Sequence, residues 1–310
     1  MTAGFGERVR RELVERPPGR ICCRRSFLSG LVRHAGTLEV SSGGLAVRVE
    51  TADAAAARLA FGLVRSLGAD AQIASFREPR FERRNRVVVR VEGGHGLQLM
   101  HEIGVLSAAL EPLAGPPRRV TARPCCRASY LRGAFVAAGS VSAPRAAGHL
   151  EIRAGDGDSA GHLVRIAAEE GIAMAVVDRA SHAAAYVKSK QAIRDLLALM
   201  GAHDAVLAFE ESAVIAATRE RANRVTNFDR ANLARLGGAA RAQREAIAAL
   251  NIDQLDARLR QVAELRLRHP HLSLTELGRR ARPPLPKSTV AGRMRALREL
   301  TNEGDLLTDR

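Results

Sequence analysis

Between Arg279 and Arg298 the chain carries seven basic residues and no acid. At about 100° per residue, a helix opening at Ser288 sets Val290, Met294 and Leu297 on one side. Ser288, Gly292, Arg295 and Ala296 then point the other way, with Thr289, Arg293 and Arg298 on the flanks. Small residues beside one long cation suit close approach to a DNA groove. In that arrangement Arg295 can fork onto guanine O6 and N7, while Lys287, Arg293 and Arg298 hold phosphates. Ser288 is expected to cap the helix, adding the positive end of its dipole. A solvated basic face on a small bundle is the competing reading. Upstream, Arg219, Arg221, Asn223, Arg224, Asn227, Arg230 and Asn232 form a second basic and polar run. Asn223 and Asn227 share a helical face, as do Asn227 and Arg230. This run reads equally as a phosphate-contacting arm or as a solvated linker helix.

The elements that must position the basic helix are legible in residues 253–300. Leu255, Leu259, Val262 and Leu265 form the stripe of a first helix. Ser273-Leu274-Thr275-Glu276 is a capping box that opens a short second helix with Leu274 and Leu277 inside. The connection Arg282-Pro283-Pro284-Leu285-Pro286 is longer and stiffer than a tight turn. Helix, short helix, turn and helix form the helix-turn-helix plan. From about Ser212 to about Asn251 the sequence is compatible with one helix. Gly237-Gly238 interrupts it, at roughly 1 kcal/mol per residue relative to Ala.

The remainder of the chain says nearly the same thing twice. Cys22-Cys23-Arg24-Arg25-Ser26-Phe27-Leu28-Ser29-Gly30-Leu31-Val32-Arg33-His34-Ala35-Gly36-Thr37-Leu38 returns 103 residues later as Cys125–Val141, with eight of seventeen positions identical. Two copies are too few for a solenoid and imply a pseudo-two-fold domain of two halves. In each, a helix-length run ending in Ala-Gly precedes alternating strands. The first half has strands at Gly44–Val49 and Arg86–Val91 around a helix at Asp53–Leu67. The second has a strand at His149–Arg153, a helix at Gly161–Gly171, a hairpin of Ala173–Asp178 with Ala183–Val187, and a helix at Gln191–Met200. The pattern per half is α-β-β-α-β-β-α, joined at Glu111–Pro117. The expected architecture is α+β, a pseudo-two-fold domain over 1–211 (halves about 1–112 and 113–211), then an all-α helix-turn-helix domain over 212–310.

Bulk composition agrees with a polyanionic partner. The net charge of +15 is divided about evenly between residues 1–210 and 211–310, and nearly all of it is Arg. With no Trp and two Tyr, the composition argues against recognition by base stacking. No apolar run has the length of a signal peptide or membrane span, so a cytoplasmic, nucleoid-associated protein with reduced thiols is expected. The pseudo-two-fold could bring the two helix starts together, which invites a zinc reading of the Cys pairs, but adjacent cysteines lack the C-x₂-C spacing of zinc sites, which favours small core residues over metal or redox ligands. Gly93-Gly94-His95-Gly96 lacks the Lys of a phosphate-binding loop, and Gly155-Asp156-Gly157-Asp158 lacks the further ligands of a calcium loop. Ser159 and His162 do not make a triad. No cofactor and no metal are expected.

Leu28–Thr37 and Leu131–Ser140 resemble the LAGLIDADG helix of homing endonucleases. The resemblance implies a single-chain pseudo-symmetric fold of that class. It also implies that the acid before the final Gly would hold the catalytic metal. Ala35 and Ala138 stand at that position, and Arg33 and Val136 at the earlier acidic one. A methyl group cannot ligate Mg²⁺. The fold is therefore expected without the nuclease, and no catalytic residue is assigned.

A degenerate pair of this kind followed by a helix-turn-helix resembles the WhiA family of bacterial transcription regulators of cell division and sporulation. Its markers here are the two Cys-Cys-Arg openings, Gly133–Val141, Asn223-Arg224-Val225-Thr226-Asn227 with Ala231-Asn232-Leu233, and Val262–Arg266 with Ser273–Gly278. Phe228 stands where Cys is expected, and Gly292 where a polar side chain would read a base. The likeness implies binding to double-stranded promoter DNA and a WhiB-type iron–sulfur co-regulator as protein partner. Two other readings compete. One is an endonuclease using displaced acids such as Glu39 or Glu151. The other is a division or chromosome-segregation scaffold with nonspecific DNA affinity.

Overall fold

The computed structural model describes residues 4–41, 44–77 and 85–308, and the side chains at 41, 77, 85, 225, 228, 229, 231–236 and 302–308 fall outside that description. The chain divides into two compact units, Met1–Ile215 and Ala216–Arg310.

The first unit contains the repeat. One half comprises α2 (Ile21–Ala35), β1 (Gly36–Ser41), β2 (Gly44–Thr51), α3 (Ala54–Ser66), β3 (Ala71–Arg77), β4 (Asn85–Glu92) and α4 (Gly93–Glu102). The other comprises α5 (Pro124–Ala138), β5 (Gly139–Val141), β6 (Leu150–Ala154), α6 (Gly157–Ala168), β7 (Ala175–Arg179), β8 (His182–Val187) and α7 (Lys190–Met200). The order is the α-β-β-α-β-β-α expected. Each half folds its strands into one antiparallel sheet, ordered β1-β2-β4-β3 and β5-β6-β8-β7. In the first sheet Val47 faces Val91 and Val49 faces Val89 across the β2–β4 ladder, and all four are buried. The alternate residues Arg48, Glu50 and Arg90 lie on the opposite face, as the two-residue strand period requires.

The central helices α2 and α5 pack directly on each other at the pseudo-two-fold. A Cβ on Gly30 would lie 2.1 Å from the Tyr130 carbonyl oxygen, and one on Gly133 would lie 2.0 Å from that of Phe27. Each helix thus offers its glycine to the backbone of the other, and no side chain fits between them. Phe27, Leu28, Leu131 and Phe135 are fully buried around this crossing.

One helix escaped the sequence reading. α1 (Phe5–Glu15) precedes the repeat, with Val9 and Leu13 buried and Phe5 edge-on to Phe209 at 5.7 Å. Its four-residue apolar spacing is present, but it is short and interleaved with Arg and Glu. The buried Glu12 carboxylate accepts from the Asp204 and Ala205 amides at 2.8 and 3.2 Å, at the start of the next helix.

That helix, α8 (His203–Ala248), is 46 residues long and crosses the division between the units. It runs unbroken through Gly237 and Gly238, both exposed, correcting the interruption expected there. Nothing lies within 4 Å of a Cβ built on either glycine, so the fold does not need them and the length of the helix absorbs their cost. The second unit continues with α9 (Ala257–Arg268), α10 (Leu274–Arg280) and α11 (Lys287–Thr308). Its core is Ile247, Val262, Ala263, Leu277, Val290, Met294 and Leu297. The Ser273–Glu276 capping box is formed in both directions.

Candidate nucleic-acid interface and the degenerate helix pair

In the second unit, burial of Val290, Met294 and Leu297 fixes which face of α11 looks outward. Lys287, Ser288, Gly292, Arg295 and Arg298 are exposed, and Thr289 and Arg293 are half-buried at the flanks. Among the described residues, no carboxylate pairs with Arg279, Arg282, Lys287, Arg295 or Arg298. Arg293 differs: its guanidinium donates to the Arg258 carbonyl oxygen at 3.2 Å and to Gln261 Oε1 at 3.1 Å, tying α11 to α9. Ser288 is not the cap. The helix begins at Lys287, and Val290 donates to the Pro286 carbonyl at 3.2 Å, so the proline-fixed backbone opens the helix one turn-position earlier. Ser288 therefore lies within the first turn. A Cβ on Gly292 meets nothing within 4 Å, so the protein's own packing does not require glycine there.

The long connection between α10 and α11 is folded back rather than loose. Leu285 donates to the Gly278 carbonyl at 2.9 Å, and a Cβ on Gly278 would sit 2.2 Å from the Leu285 oxygen. Arg266, a charge hidden inside this unit, is 2 % exposed and donates to the Leu272 carbonyl at 2.7 Å. Burial holds its guanidinium below the usual arginine range. Its spacing, four residues after Val262 and seven after Leu259, puts it on the inner face of α9. Asn223, Arg224, Asn227 and Arg230 are exposed on α8, and Arg224 faces Glu220 at 3.8 Å.

In the first unit the LAGLIDADG-like positions are occupied by groups that hold backbone. Ala35 and Ala138 end α2 and α5, half-buried. Arg33 reaches three carbonyls of the connection between the halves: Leu113 at 2.9 Å, Gly115 at 2.8 Å, and Gly104. Its counterpart Val136 is buried. Arg132 donates to the Leu13 and Arg16 carbonyls where α1 ends, and Arg10 to that of Gly139 at 2.8 Å. A cleft of about 680 Å³ lies beside Ala138 and Gly139, with Glu7, Glu50, Asp53, Arg10, Arg86 and Arg153 among its walls. Its carboxylates are engaged. Glu50 pairs with Arg48 and Arg86, Asp53 accepts from the Ala55 and Ala56 amides, and Glu7 faces Arg11.

The displaced acids are also engaged, each within its own sheet. Glu39 on β1 pairs with Arg48 at 3.4 Å and Arg90 at 3.7 Å. Glu151 on β6 pairs with Arg179 at 2.7 Å and His149 at 3.1 Å. Burial raises the Glu151 pKa, but His149 and Arg179 outweigh it and hold the carboxyl below its usual range. At the end of α2, burial lowers the His34 imidazole to about 4, while its Nδ1–H donates to the Arg153 carbonyl at 3.1 Å. Asp156 caps α6 through the Ser159 amide, and His162 donates to the Asp158 carbonyl, so Ser159 and His162 form no relay.

At the other end of the central helices the two cysteine pairs converge, with all four sulfurs within 4.8 Å of one another. Cys23 and Cys126 are buried, as core residues should be, whereas Cys22 and Cys125 are half-buried. The repeat allowed the two helix starts to meet, but the spacing within each pair did not point to a shared site, because each pair finds its partner across the helix crossing.

Three family models cover most of the chain. Residues 21–106 match the WhiA N-terminal LAGLIDADG-like domain, 127–219 the WhiA LAGLIDADG-like domain, and 222–301 the WhiA C-terminal HTH domain. Proteins named "Probable cell division protein WhiA" are similar over nearly full length. That of Desulforudis audaxviator is 38 % identical over 285 residues, covering 90 % of each chain. That of Salinispora arenicola is 37 % identical over 308 residues, covering 98 % of this chain and 93 % of its own. The crystal structure of full-length DUF199/WhiA from Thermatoga maritima has a similar fold, with a TM-score of 0.61 at 23 % identity, covering 97 % of this chain and 99 % of that one. No helix among the described residues is long and apolar enough to cross a membrane.

Proposed function

The chain belongs to the WhiA family, and from that premise we propose that it is a sequence-specific transcription regulator that binds double-stranded promoter DNA through α11. The genes served are those of cell division and sporulation, in keeping with the names of its relatives. The observation that carries the reading is the outward face of α11. There Lys287, Arg295 and Arg298 surround Ser288 and the open position of Gly292, with no carboxylate paired to them among the described residues. Arg295 reads a base edge, and Lys287 and Arg298 neutralise phosphates. Ser288 and Thr289 lie at the helix N-terminus, where the dipole favours a phosphate. Arg293 contributes by fixing α11 on α9, and its second role is at the flank of the groove. Asn223, Arg224 and Asn227 on α8 supply a further polar surface toward the backbone of the duplex.

The protein acts without cleaving DNA. Ala35 and Ala138 offer no ligand to a divalent ion, and Glu39 and Glu151 are neutralised by their own sheets. The WhiB-type iron–sulfur co-regulator that the family likeness implies is the protein partner to test, and an association at the nucleoid follows from the DNA reading.

The test is selection of genomic fragments by the purified protein at physiological salt, followed by sequencing. A discrete motif upstream of genes is the expected result. On that site Arg295→Ala loses ~1–3 kcal/mol of binding and relaxes the preference at one base pair. Retention of all fragments alike, with a steep salt dependence, would overturn sequence-specific reading in favour of a scaffold with nonspecific affinity. Divalent-dependent nicking abolished by Glu151→Gln would restore the nuclease.

A further inference from the structure

We propose that Cys22, Cys23, Cys125 and Cys126 bind one thiophilic divalent metal ion, of which zinc is the natural example, at the pseudo-two-fold crossing of α2 and α5. Their four sulfurs lie within 4.8 Å of one another. The Cys22 and Cys23 sulfurs are 3.9 Å apart. A tetrahedral site with metal–sulfur bonds of about 2.3 Å places its sulfurs about 3.8 Å apart. The adjacent pair therefore already spans one tetrahedral edge, and a small inward shift of the others completes the set. An iron–sulfur cluster interposes several atoms between its thiolates and needs a wider ring, so the span favours a single ion.

The surroundings repeat with the same symmetry. Cys22 and Cys23 occupy the first turn of α2, and Cys125 and Cys126 the first turn of α5. Two helix N-termini thus direct their positive ends at sulfurs that must be anionic to ligate. Cys23 Sγ donates to the Cys125 carbonyl oxygen at 3.5 Å, which ties the two pairs to each other across the helix crossing. Cys23 and Cys126 are 8 % and 2 % exposed, while the half-buried Cys22 and Cys125 leave a path for the ion. Binding forms four metal–sulfur bonds and releases up to four thiol protons to solvent. Four thiolates leave no open coordination position, so the ion is structural.

The site is also remote from the nuclease-like positions. Cys22 and Ala35 lie toward opposite ends of α2, about 20 Å apart at 1.5 Å per residue. The ion is a clamp at the end of the helix crossing, where the glycines leave the backbones in contact. This inference is independent of the DNA reading.

Full-length protein, reduced and freed of metal, would be titrated anaerobically with Co²⁺ and then Zn²⁺. The expected result is one Co²⁺ per chain with the intense visible absorption of a tetrahedral thiolate site, bleached by an equivalent of Zn²⁺. Zinc at about a hundredfold its dissociation constant raises the Tm of the first unit by roughly 5–10 °C. The Cys22→Ser/Cys125→Ser variant keeps the buried pair and loses the absorption, with circular dichroism confirming that it folds. Cobalt uptake unchanged in the double variant, or only the weak spectrum of the hydrated ion with wild type, would overturn the proposal. Two disulfides joining the same sulfurs in freshly isolated protein would overturn it as well, replacing the ion with a covalent tie.

Discussion

The two units differ in where most of their arginines place their hydrogen bonds, although Arg260, Arg266 and Arg293 of the second also donate to backbone oxygens. In the first, Arg10, Arg33 and Arg132 donate to backbone carbonyls, and Arg127 is only 12 % exposed at its side chain between Glu169 and Glu170. On the outer face of its first sheet, Arg48, Arg86 and Arg90 interlace with Glu39, Glu50 and Glu92. In the second unit, Arg279, Arg282, Arg295 and Arg298 stand in solvent with no carboxylate paired to them among the described residues. A positive net charge shared evenly along the sequence is therefore distributed unevenly in its consequences. Arginines already bound to carbonyls and carboxylates organise the protein, and those left in water are available to a polyanion. In the second unit such arginines gather around α11, the face proposed above for DNA.

The sharpest way to separate the units is to break the helix crossing. Gly133→Ala would drive a methyl group into the Phe27 backbone, which no rotamer change relieves. We expect a loss of ~4 kcal/mol or more, seen as a low-temperature transition in calorimetry while the transition of the second unit stays in place. If both transitions moved together, the units would not be energetically distinct.

Next in size is the removal of an arginine bound to backbone. Arg33→Ala leaves the carbonyls of Gly104, Leu113 and Gly115 without their shared donor and should cost ~2–4 kcal/mol in urea denaturation. Arg298→Ala should change stability by less than about 0.5 kcal/mol and weaken DNA binding instead. Equal effects on stability would erase the distinction between the two arginine classes.

A smaller effect follows from pH. His34 in the folded chain titrates at about 4, below its ordinary value of 6.5, because burial disfavours the imidazolium. The unfolded chain therefore takes up the proton first. The contribution of His34 is full above pH 6.5 and is lost as pH falls through 4, roughly 1–3 kcal/mol in all. Unfolding free energies measured across that window should show the slope in wild type and a shallower one in His34→Gln. The smallest change is expected at α11. Gly292→Ala should raise the stability of the second unit by ~0.5–1 kcal/mol, since its Cβ meets open space. The same methyl group should weaken DNA binding in an electrophoretic shift assay, because it occupies the space that the duplex backbone or base edges approach.

Much of this organisation was legible beforehand for local reasons. Val290, Met294 and Leu297 declared the inner face of α11 by their spacing, and Ser273 with Glu276 declared the start of α10. The twofold return of Cys-Cys-Arg and Ala-Gly declared the pair of central helices. Less legible were α1, whose Phe5, Val9 and Leu13 are diluted by charge, and the opening of α11, where Pro286 took the place assigned to Ser288. Nothing in a one-dimensional spacing shows that a loop carbonyl waits beside the guanidinium of Arg266 or Arg33.

The sequence by itself determined the periodic features: the doubled α-β-β-α-β-β-α plan, the helix-turn-helix, and the loss of acids at Ala35 and Ala138. These depend on residues a few positions apart, whose relations a helix or strand repeats. Only the tertiary structure decided how Gly30 and Gly133 meet the opposite backbone, and that the sulfurs of cysteines 103 positions apart gather within 4.8 Å. Those outcomes depend on the crossing of α2 and α5, which is set by the packing of the whole core rather than by any local spacing.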